Sequence, residues 1–344
     1  MRISSVVITI LCLASVAMVW WYKGVSNVSQ PHAVTIDQIY GIFKQYQIPY
    51  DIDSESVSAV YKAEESTFTG IAEFKKQIAR YVEKNQPIKM LMVGFPFKSA
   101  NTEQKVFGYM PDMAERKALE YLQSMLDRIR AVYSPGARII IFTDGVAFAP
   151  FLGIPFDHVI AYEVALIQLG SDLNDISWHT SADIMRKHQL KSLEEINLLF
   201  DTYPPTDQQF RQMHPSLSEV TKRRIALELD HPAGRALLRK YPNTLEHIVF
   251  NIVSREARMR NYIIAQFLPS KYIRLTVHFS PDLSKKFGIK LSPTGSVTPY
   301  HGVCVQRLDG SWTIEFKKDV KRAECRVEAT TVNGIECPFY KCDE

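Results

Sequence analysis

Two short apolar segments on either side of an amphipathic one constrain the fold of this chain more than any other feature. Residues 88–95 and 137–143 are apolar runs broken by one basic residue each, a pattern typical of strands buried on both faces of a sheet. Between them, residues 111–133 repeat apolar side chains at helical spacing, and Pro111, Asp112 and Glu115 suit a helix start. Strand, helix and strand in this order predict a right-handed βαβ unit with parallel strands.

The remaining periodicities predict an α/β fold. Further helices are predicted from Thr35 onward, over Ile71–Val82, and near residues 157–169, 181–200, 217–229 and 244–267. The C-terminal part turns to strands, over residues 272–279, 301–308 and 311–316. We therefore expect a Rossmann-like mixed sheet flanked by helices, followed by a β-rich C-terminal part. At this length about three quarters of the unfolded chain's surface can be buried, and we expect a single domain over residues 35–344.

The N-terminus is more apolar than the rest of the chain. Residues 3–22 carry no charge, and a segment of this length is about what a helix needs to cross a bilayer. The aromatic residues at 20–22 resemble an interfacial belt. Three interpretations of residues 1–23 stay open: an uncleaved membrane anchor, a cleaved signal peptide, and a start codon that cells do not use. Residues 24–34 are polar, contain Gly and Pro, and are predicted to be a linker.

Charge and cysteine content narrow the class of protein further. The formal net charge is only +4, which gives no argument for a nucleic-acid partner. Four of the five cysteines lie near the C-terminus, at positions 304, 325, 337 and 342, and no two are spaced as Cys-x-x-Cys. Disulfides of an exported domain and a zinc site are the alternatives, and free intracellular thiols are favoured over both.

A polar loop after the first predicted strand is the first candidate site. In open α/β sheets, ligands bind beyond the carboxyl ends of parallel strands. The loop carries two flexible cations, Lys98 and Lys105, and two neutral donors, Ser99 and Asn101, and it leads into the helix that begins near Asp112. These residues suit a phosphate or carboxylate ligand, and the alternative is that the lysines are only solvated. Asp144 holds the corresponding position after the second strand.

A polar face of the strand predicted over residues 272–279 is the second candidate site. Alternation places Arg274, Thr276 and His278 on one face, where Arg can grip an anion and His can exchange protons near neutral pH. His301 opens the next strand and can face the same pocket. The alternative is an edge strand with one wet face. Basic residues on the predicted helices, around Lys222 and at Arg255 and Arg258, are interpreted as solvated faces or as an anion clamp.

Several common signatures are absent from the sequence. Gly-x-Gly-x-x-Gly after the first strand, the P-loop, His-Glu-x-x-His and Gly-x-Ser-x-Gly do not occur. Nicotinamide dinucleotide binding, P-loop chemistry, zinc protease chemistry and the hydrolase nucleophile elbow are therefore disfavoured. We expect no metal ligands.

One long motif resembles a known family. Residues 94–115, GFPFKSANTEQKVFGYMPDMAE, are similar to the signature of the pyoverdine/dityrosine biosynthesis family, the isocyanide (isonitrile) synthases. The segments FTDG, IRLTVH and TPYHGV agree with that family in the same order, and the resemblance spans residues 35–316. Two positions depart from the pattern: Ala100 replaces a proline, and Tyr300 replaces a tryptophan, which bears on amino-acid preference.

The resemblance implies a metal-independent, lyase-type enzyme that needs no cofactor. Its amino-acid substrate would be an aromatic L-amino acid, Tyr or Trp, whose amino group condenses with the ketone of ribulose 5-phosphate. Fragmentation of the sugar would leave one carbon as the isocyanide carbon, and a downstream tailoring enzyme would take the product. Two alternatives stay open: a relative that yields an N-formyl amino acid, and a membrane-tethered, non-catalytic homologue that only binds ligand.

The resemblance also implies roles for individual residues. Lys98 and Lys105 would hold phosphate or polarise the ketone. The implied catalytic residues are Lys98, Asp144, His278 and His301, and the implied substrate-binding residues are Ser99, Asn101, Lys105, Asp112, Glu115, Arg274 and Tyr300. On an exposed loop, replacement of Lys98 by Ala is expected to abolish turnover with little change in thermal stability.

The implied sugar substrate bears on the location of the protein. Ribulose 5-phosphate is a cytosolic metabolite, so the resemblance implies a cytoplasmic catalytic domain. That domain would be membrane-anchored if residues 3–22 form an anchor. A cytoplasmic location disfavours the signal peptide and again favours free thiols.

Overall fold

Five parallel strands form the central sheet, in the order β3-β2-β1-β4-β5. The structure is a computed structural model that describes residues 30–48, 68–201, 217–240, 244–259, 272–294 and 297–343. The strands are β1 Ile88–Val93, β2 Ala137–Phe142, β3 Ile176–His179, β4 Ile273–Thr276 and β5 Phe287–Gly288. The described helices are α1 Gln30–Tyr46, α2 Ile71–Val82, α3 Met113–Val132, α4 Gly145–Phe148, α5 Phe156–Leu169, α6 Ser181–His188, α7 Leu193–Asp201, α8 Leu217–Glu228, α9 Pro232–Lys240 and α10 Thr244–Arg258.

The predicted βαβ unit is β1, α3 and β2. The two strands pair in parallel over their whole length, from Ile88 opposite Ala137 to Val93 opposite Phe142. Asp112 caps α3, since its side chain accepts a hydrogen bond from the backbone of Ala114 while Glu115 reaches back to the backbone of Asp112. This capping box satisfies backbone donors that the first turn of a helix leaves unpaired.

The sheet is covered by helices on both faces, as the apolar runs require. Met90 and Met92 point into a core formed with α1, α2, α3 and part of α5. Leu91, between them in sequence, packs on the opposite face with α4, α6, α7, α8 and α10. Alternate residues of one strand thus fill two different cores, which explains why the strand sequence shows no polar alternation. The predicted α/β, Rossmann-like class is confirmed.

The β-rich C-terminal part is also confirmed and forms a second sheet. Its strands are β6 Val303–Gln306, β7 Trp312–Glu315, β8 Cys325–Val332 and β9 Ile335–Cys342, in the order β7-β6-β9-β8. Strands β6 and β9 are parallel and the other pairs are antiparallel, so the mixed pairing lies in this sheet. The β8–β9 hairpin was not predicted, although its turn at Asn333–Gly334 has positive φ at both residues, as an Asn-Gly hairpin turn requires.

Several predicted boundaries move. The helix predicted from Thr35 begins at Gln30, and Pro31 lies in its first turn. The helix predicted over residues 181–200 is two helices, because Gln189 adopts a left-handed conformation with φ 56° that ends the first of them. Helix α9 and strand β3 were missed. The predicted segment 260–267 lies outside the described residues.

The predicted N-terminal segments lie mostly outside the described residues. The candidate anchor or signal at residues 1–23 belongs to residues 1–29, of which nothing is described. Over the described ranges, no helix combines the length and the apolar character needed to span a membrane.

The cysteines correct one expectation. Cys325 and Cys342 form a disulfide, because the β8–β9 register places them directly opposite each other. The preference for free thiols was therefore wrong for this pair. Cys304 and Cys337 are free and buried.

Candidate active site

The loop after β1 folds inward over the carboxyl edge of the sheet. Gly145, directly after β2, lies so close to the loop that an added Cβ would be 2.0 Å from the carbonyl oxygen of Pro96. Two of the residues that follow in the loop, Lys98 and Lys105, are only 1% and 3% exposed. The interpretation of these lysines as solvated loop residues was therefore wrong.

Lys98 forms the first of two buried ionic clusters, which we call the Lys98 cluster. Its Nζ lies 2.6 Å from Oε2 of Glu115 and 2.9 Å from Oδ2 of Asp112, and it donates a 3.0 Å hydrogen bond to the carbonyl oxygen of Pro299. Tyr162 donates to the other carboxylate oxygen of Glu115 at 3.2 Å. Lys98 therefore donates hydrogen bonds to Glu115 and to Pro299, and it contacts Asp112 as an ion pair, so its charge is held inside the protein.

Burial and charge together set the protonation of the Lys98 cluster. Burial acts to lower the pKa of Lys98, but the carboxylates of Asp112 and Glu115 outweigh it and hold that pKa above its usual value. Burial raises the pKa of Asp112, and it raises the pKa of Glu115 to about 8 against the attraction of Lys98. The lysine therefore stays charged, while the neighbouring carboxyl of Glu115 takes up and releases a proton near pH 8.

The second cluster, the Glu228 cluster, joins Glu228 to Ser99, Lys105 and His301. Ser99 Oγ donates to Oε2 of Glu228 at 2.5 Å, Lys105 Nζ donates to Oε1, and Nδ1 of His301 lies 3.0 Å from Oε1. Burial acts to raise the pKa of Glu228, but the positive charges of His301 and Lys105 outweigh it and hold that pKa below its usual range. Glu228 is the last residue of α8 and was not predicted as a site residue.

Asn101 fixes helix α8 to the same loop. Its amide nitrogen donates to the carbonyl oxygens of Leu227 and Asp230, both at 3.1 Å, and its oxygen accepts from the backbone of Gln104 at 3.0 Å. Unpaired carbonyls at the end of a helix need such partners. Asn101 thus holds Glu228 in place by holding the helix end that carries it.

The turn at Pro299–His301 connects the two clusters. The carbonyl oxygen of Pro299 accepts from Lys98, and the carbonyl oxygen of Tyr300 accepts from the backbone of Ser99 at 2.9 Å. The Tyr300 ring packs edge-on against Phe95, with ring centres 5.9 Å apart. Segments about 200 residues apart in sequence therefore meet at the carboxyl edge of the sheet.

The other predicted site residues lie outside the two clusters. Asp144 is 8% exposed and precedes α4 at the end of β2. Arg274 is half-buried on β4, opposite Leu91 of β1. Strand β4 ends at Thr276, so the predicted alternation stops there, and His278 is exposed beyond the strand end.

Glu163 is a buried carboxylate that the sequence reading missed. It lies on α5 and accepts from Thr143 Oγ1 at 2.5 Å and from Ser181 Oγ at 2.6 Å, which joins the ends of β2 and β3. Burial raises the pKa of Glu163 to about 7. Its signal was present in the sequence, since Glu163 interrupts the otherwise apolar run of residues 159–167.

The basic residues on α10 hold the structure together and are not a solvated face. Arg255 is 3% exposed and donates to the side chain of Asn197 at 3.0 Å and to the carbonyl oxygen of Ala147 at 3.4 Å. Arg258 donates to the carbonyl oxygen of Leu199. Both arginines thus find acceptors on α7, and these contacts do not depend on a bound anion.

An open cavity of about 540 Å³ lies apart from both clusters, between α3 and the second sheet. Its charged lining pairs within the protein: Lys117 lies 2.8 Å from Glu120, and Lys341 lies 3.5 Å from Glu328. The side chains described as lining this cavity include none of the predicted site residues. We therefore place the candidate site at the two clusters.

Metal ligands were not expected, and the structure offers no test of a metal-free reaction. Within the described ranges, no three His, Cys, Asp or Glu side chains are grouped so as to hold a metal ion. The metal-free site stays a prediction.

Comparison with known proteins agrees with the motif resemblance. A family model described as "Pyoverdine/dityrosine biosynthesis protein" matches residues 78–328. The L-tyrosine isonitrile synthase of Xenorhabdus nematophila is 27% identical over 269 residues, 72% of this chain and 76% of that protein. The L-tryptophan isonitrile synthase AmbI2 of Fischerella ambigua is 30% identical over 264 residues, with the same shares covered.

A solved structure agrees on the fold. The crystal structure of PvcA from Pseudomonas aeruginosa has a TM-score of 0.73 and 24% identity, and the match covers 90% of this chain and 99% of that one. The family model covers well over half of the chain, and the motif segments it includes meet at one edge of the sheet. The chain therefore belongs to the pyoverdine/dityrosine biosynthesis family.

Proposed function

We propose that this protein is an isocyanide synthase that converts the amino group of an aromatic L-amino acid, Tyr or Trp, to an isocyanide. Ribulose 5-phosphate would donate the carbon. Membership of the family and similarity to proteins named as Tyr and Trp isonitrile synthases support the proposal. The structural observation that carries it is the joining of the two motif segments, residues 94–115 and 298–303, through the Lys98 and Glu228 clusters.

The proposed chemistry needs proton transfers more than it needs a nucleophile from the protein. Condensation of an amine with a ketone and cleavage of a carbon–carbon bond both move protons. His301 is the accessible member of the Glu228 cluster, at 31% exposure of its side chain. The Lys98 cluster adds the carboxyl of Glu115, whose pKa burial raises to about 8. These groups can serve both the condensation and the carbon–carbon cleavage without a metal, and we propose that the enzyme is a metal-independent lyase.

Substrate anions would be bound beside these clusters. Lys98 and Lys105 are already paired with carboxylates, so their direct contact with a phosphate would require those pairs to open. Arg274, half-buried on β4, and His278, exposed beyond its end, offer a guanidinium and an imidazole for the sugar phosphate or the amino-acid carboxylate. Catalysis would take place in the cytosol, where ribulose 5-phosphate is found, and a tailoring enzyme would act on the product.

The full chain should be incubated with L-Tyr or L-Trp and with ribulose 5-phosphate carrying ¹³C at one carbon at a time. Mass spectrometry should then find an isocyanide that contains the label from one sugar position, with and without a chelator. An N-formyl product would be heavier by one water and would show that the reaction ends differently. The absence of any labelled product with all aromatic L-amino acids would refute the proposal.

A further inference from the structure

The carboxylate of Glu228 contacts two basic side chains, Lys105 and His301, although one cation is enough to balance its charge. It is buried at the end of α8, where an ionised carboxylate is costly unless a cation pairs with it. Lys105 supplies that cation, and Ser99 satisfies the other carboxylate oxygen. His301 approaches the same oxygen as Lys105, from a different element of the fold. The contact with His301 therefore needs a reason other than neutralising Glu228.

The orientation of the His301 ring gives that reason. Its Nδ1 is buried and lies 3.0 Å from Oε1 of Glu228, whereas the side chain as a whole is 31% exposed. The exposed fraction of the side chain therefore belongs to ring atoms other than Nδ1. A carboxylate beside Nδ1 favours the tautomer with hydrogen on Nδ1, and in that tautomer the lone pair of the ring is on Nε2.

The turn that carries His301 lies where ligands bind in this kind of fold. The turn at Pro299–His301 is hydrogen-bonded to the loop that follows β1, through Lys98 and Ser99. That loop occupies the carboxyl edge of the parallel sheet, the usual ligand-binding edge.

Other titratable side chains surround the pair from several elements. Lys105 faces Glu228 from the loop after β1, and the attraction of His301 and Lys105 together holds the pKa of Glu228 below its usual range against the effect of burial. His231 lies after α8; burial lowers its pKa, while the charge of Glu228 acts to raise it. The Tyr300 ring packs against the His301 ring with centres 4.7 Å apart. Because the pKa of Glu228 is held below its usual range, a proton that reaches this pair stays on His301.

We propose that His301 is the catalytic residue that exchanges protons with the substrate through Nε2, and that Glu228 is its positioning residue. This inference rests on the proposed function, since it assigns the proton transfers of the amine–ketone condensation. Ser99 and Lys105 hold Glu228, and Asn101 holds the helix end that carries it.

The proton transfers balance without any further reactant. The substrate ammonium loses a proton as its N–H bond breaks and Nε2–H forms, which gives a free amine and an imidazolium beside Glu228. The amine attacks the ketone carbon, and a proton moves from nitrogen to oxygen to give a carbinolamine. The imidazolium then returns its proton to the departing hydroxyl, so that water leaves, a protonated imine remains and His301 is neutral again.

The ring chemistry can be tested without turnover. Nitrogen-15 NMR of the histidine-labelled full chain, with the signal assigned through His301→Gln, reports the tautomer and the titration of His301. We expect the hydrogen on Nδ1 in the wild type. In Glu228→Gln we expect the titration midpoint to fall by about one pH unit or more, because an opposite charge beside the ring is lost.

Kinetics test the catalytic role. In Glu228→Gln we expect kcat to fall roughly 10²-fold or more with a smaller change in KM, and the acidic limb of kcat/KM to move to lower pH. Glu228→Asp should recover part of the loss. The matched control is Asp175→Asn, because Asp175 is also 8% exposed and paired with a cation, Arg130, but lies before β3 at the opposite edge of the sheet. It should lower the melting temperature and leave the pH profile in place.

Two results would overturn the proposal. One is hydrogen on Nε2, or an unchanged titration of His301, in the NMR comparison. The other is a Glu228→Gln enzyme whose loss of rate resembles that of Asp175→Asn, with no movement of the pH profile. Failure of the wild type to make labelled isocyanide would instead count against the proposed function, while the NMR result still tests the Glu228–His301 pair.

Discussion

Removal of the Lys98 charge should destabilise this protein, and more strongly in alkaline than in acidic solution. The substitution Lys98→Met removes the ammonium group and keeps an unbranched apolar chain in its place. Asp112 and Glu115 then face each other inside the protein without a cation, since both are buried and both contact Lys98. The expectation of an almost unchanged stability, which assumed an exposed loop, no longer holds.

The size of the effect follows from the burial of the cluster. Loss of one partner of a buried ion pair costs about 3–5 kcal/mol. With about 2.1 cal/mol/K of unfolding entropy per residue, this chain of 344 residues has roughly 0.7 kcal/mol/K in total. The melting temperature should therefore fall by about 4–7 °C at alkaline pH.

The pH dependence has a definite sign. A carboxyl whose pKa is raised by folding lowers the stability of the protein as the pH rises from the pKa of the unfolded state to the pKa of the folded state. Above that range the loss of stability stays constant. In the wild type this window ends near pH 8 for Glu115. Without Lys98 the folded pKa values of Asp112 and Glu115 rise further, so the variant continues to lose stability above that pH. In acid the carboxyls are protonated in both proteins, and the deficit of the variant shrinks.

The assay is a melting curve of wild type and variant at pH 5 and pH 9, at one scan rate. The matched control is Lys75→Met, because Lys75 forms an exposed pair with Asp37 at 2.7 Å, which is worth less than about 1 kcal/mol. A fall of the same size at both pH values, or one no larger than that of the control, would show that Lys98 does not hold the buried carboxyls.

Three further predictions concern other parts of the fold. Glu163→Gln should stabilise the protein relative to wild type at pH 8 by about 3 kcal/mol but not at pH 4.5, because the raised pKa of Glu163, about 7, costs stability as pH rises between these values; melting curves at both pH values check this. Cys325→Ser should lower the free energy of unfolding by about 3 kcal/mol under oxidising conditions, since the disulfide closes 17 residues of chain. With dithiothreitol, which reduces the disulfide of the wild type, denaturant titrations of the two proteins should agree. Arg255→Ala should lower the melting temperature through its lost contact with Asn197 and leave the KM for the sugar phosphate unchanged; a large rise in that KM would show an anion clamp instead.

Local patterns predict the parts of this fold that local interactions determine. The βαβ unit was predicted because two apolar runs and an amphipathic helix lie within one stretch of sequence, and α2 was predicted at its observed ends. Strand β8 was missed because its side chains are largely exposed and polar, so that it carries no apolar alternation. There the Asn333–Gly334 turn was the available signal.

The candidate site was predicted as a set of motif residues but not as an arrangement. The sequence places Lys98 in a polar loop, and its burial depends on Asp112, Glu115 and Pro299, the last of which is 201 residues away. Glu228 shows no motif, because its role follows from a helix end that Asn101 brings to the loop. Such contacts arise from the packing of distant segments, which periodicity does not report.

The burial of both loop lysines changes how the site can work. Lys98 is buried and paired with two carboxyls, so under the proposed function it would act on a substrate through those carboxyls. Lys105 likewise acts through Glu228. Under the proposed function, the cation in both clusters would set the protonation of a carboxyl, and the carboxyl or its neighbour would meet the substrate. His301 is the accessible member of the Glu228 cluster, and under the proposal its contact with Glu228 makes the proton chemistry depend on a residue outside the motifs.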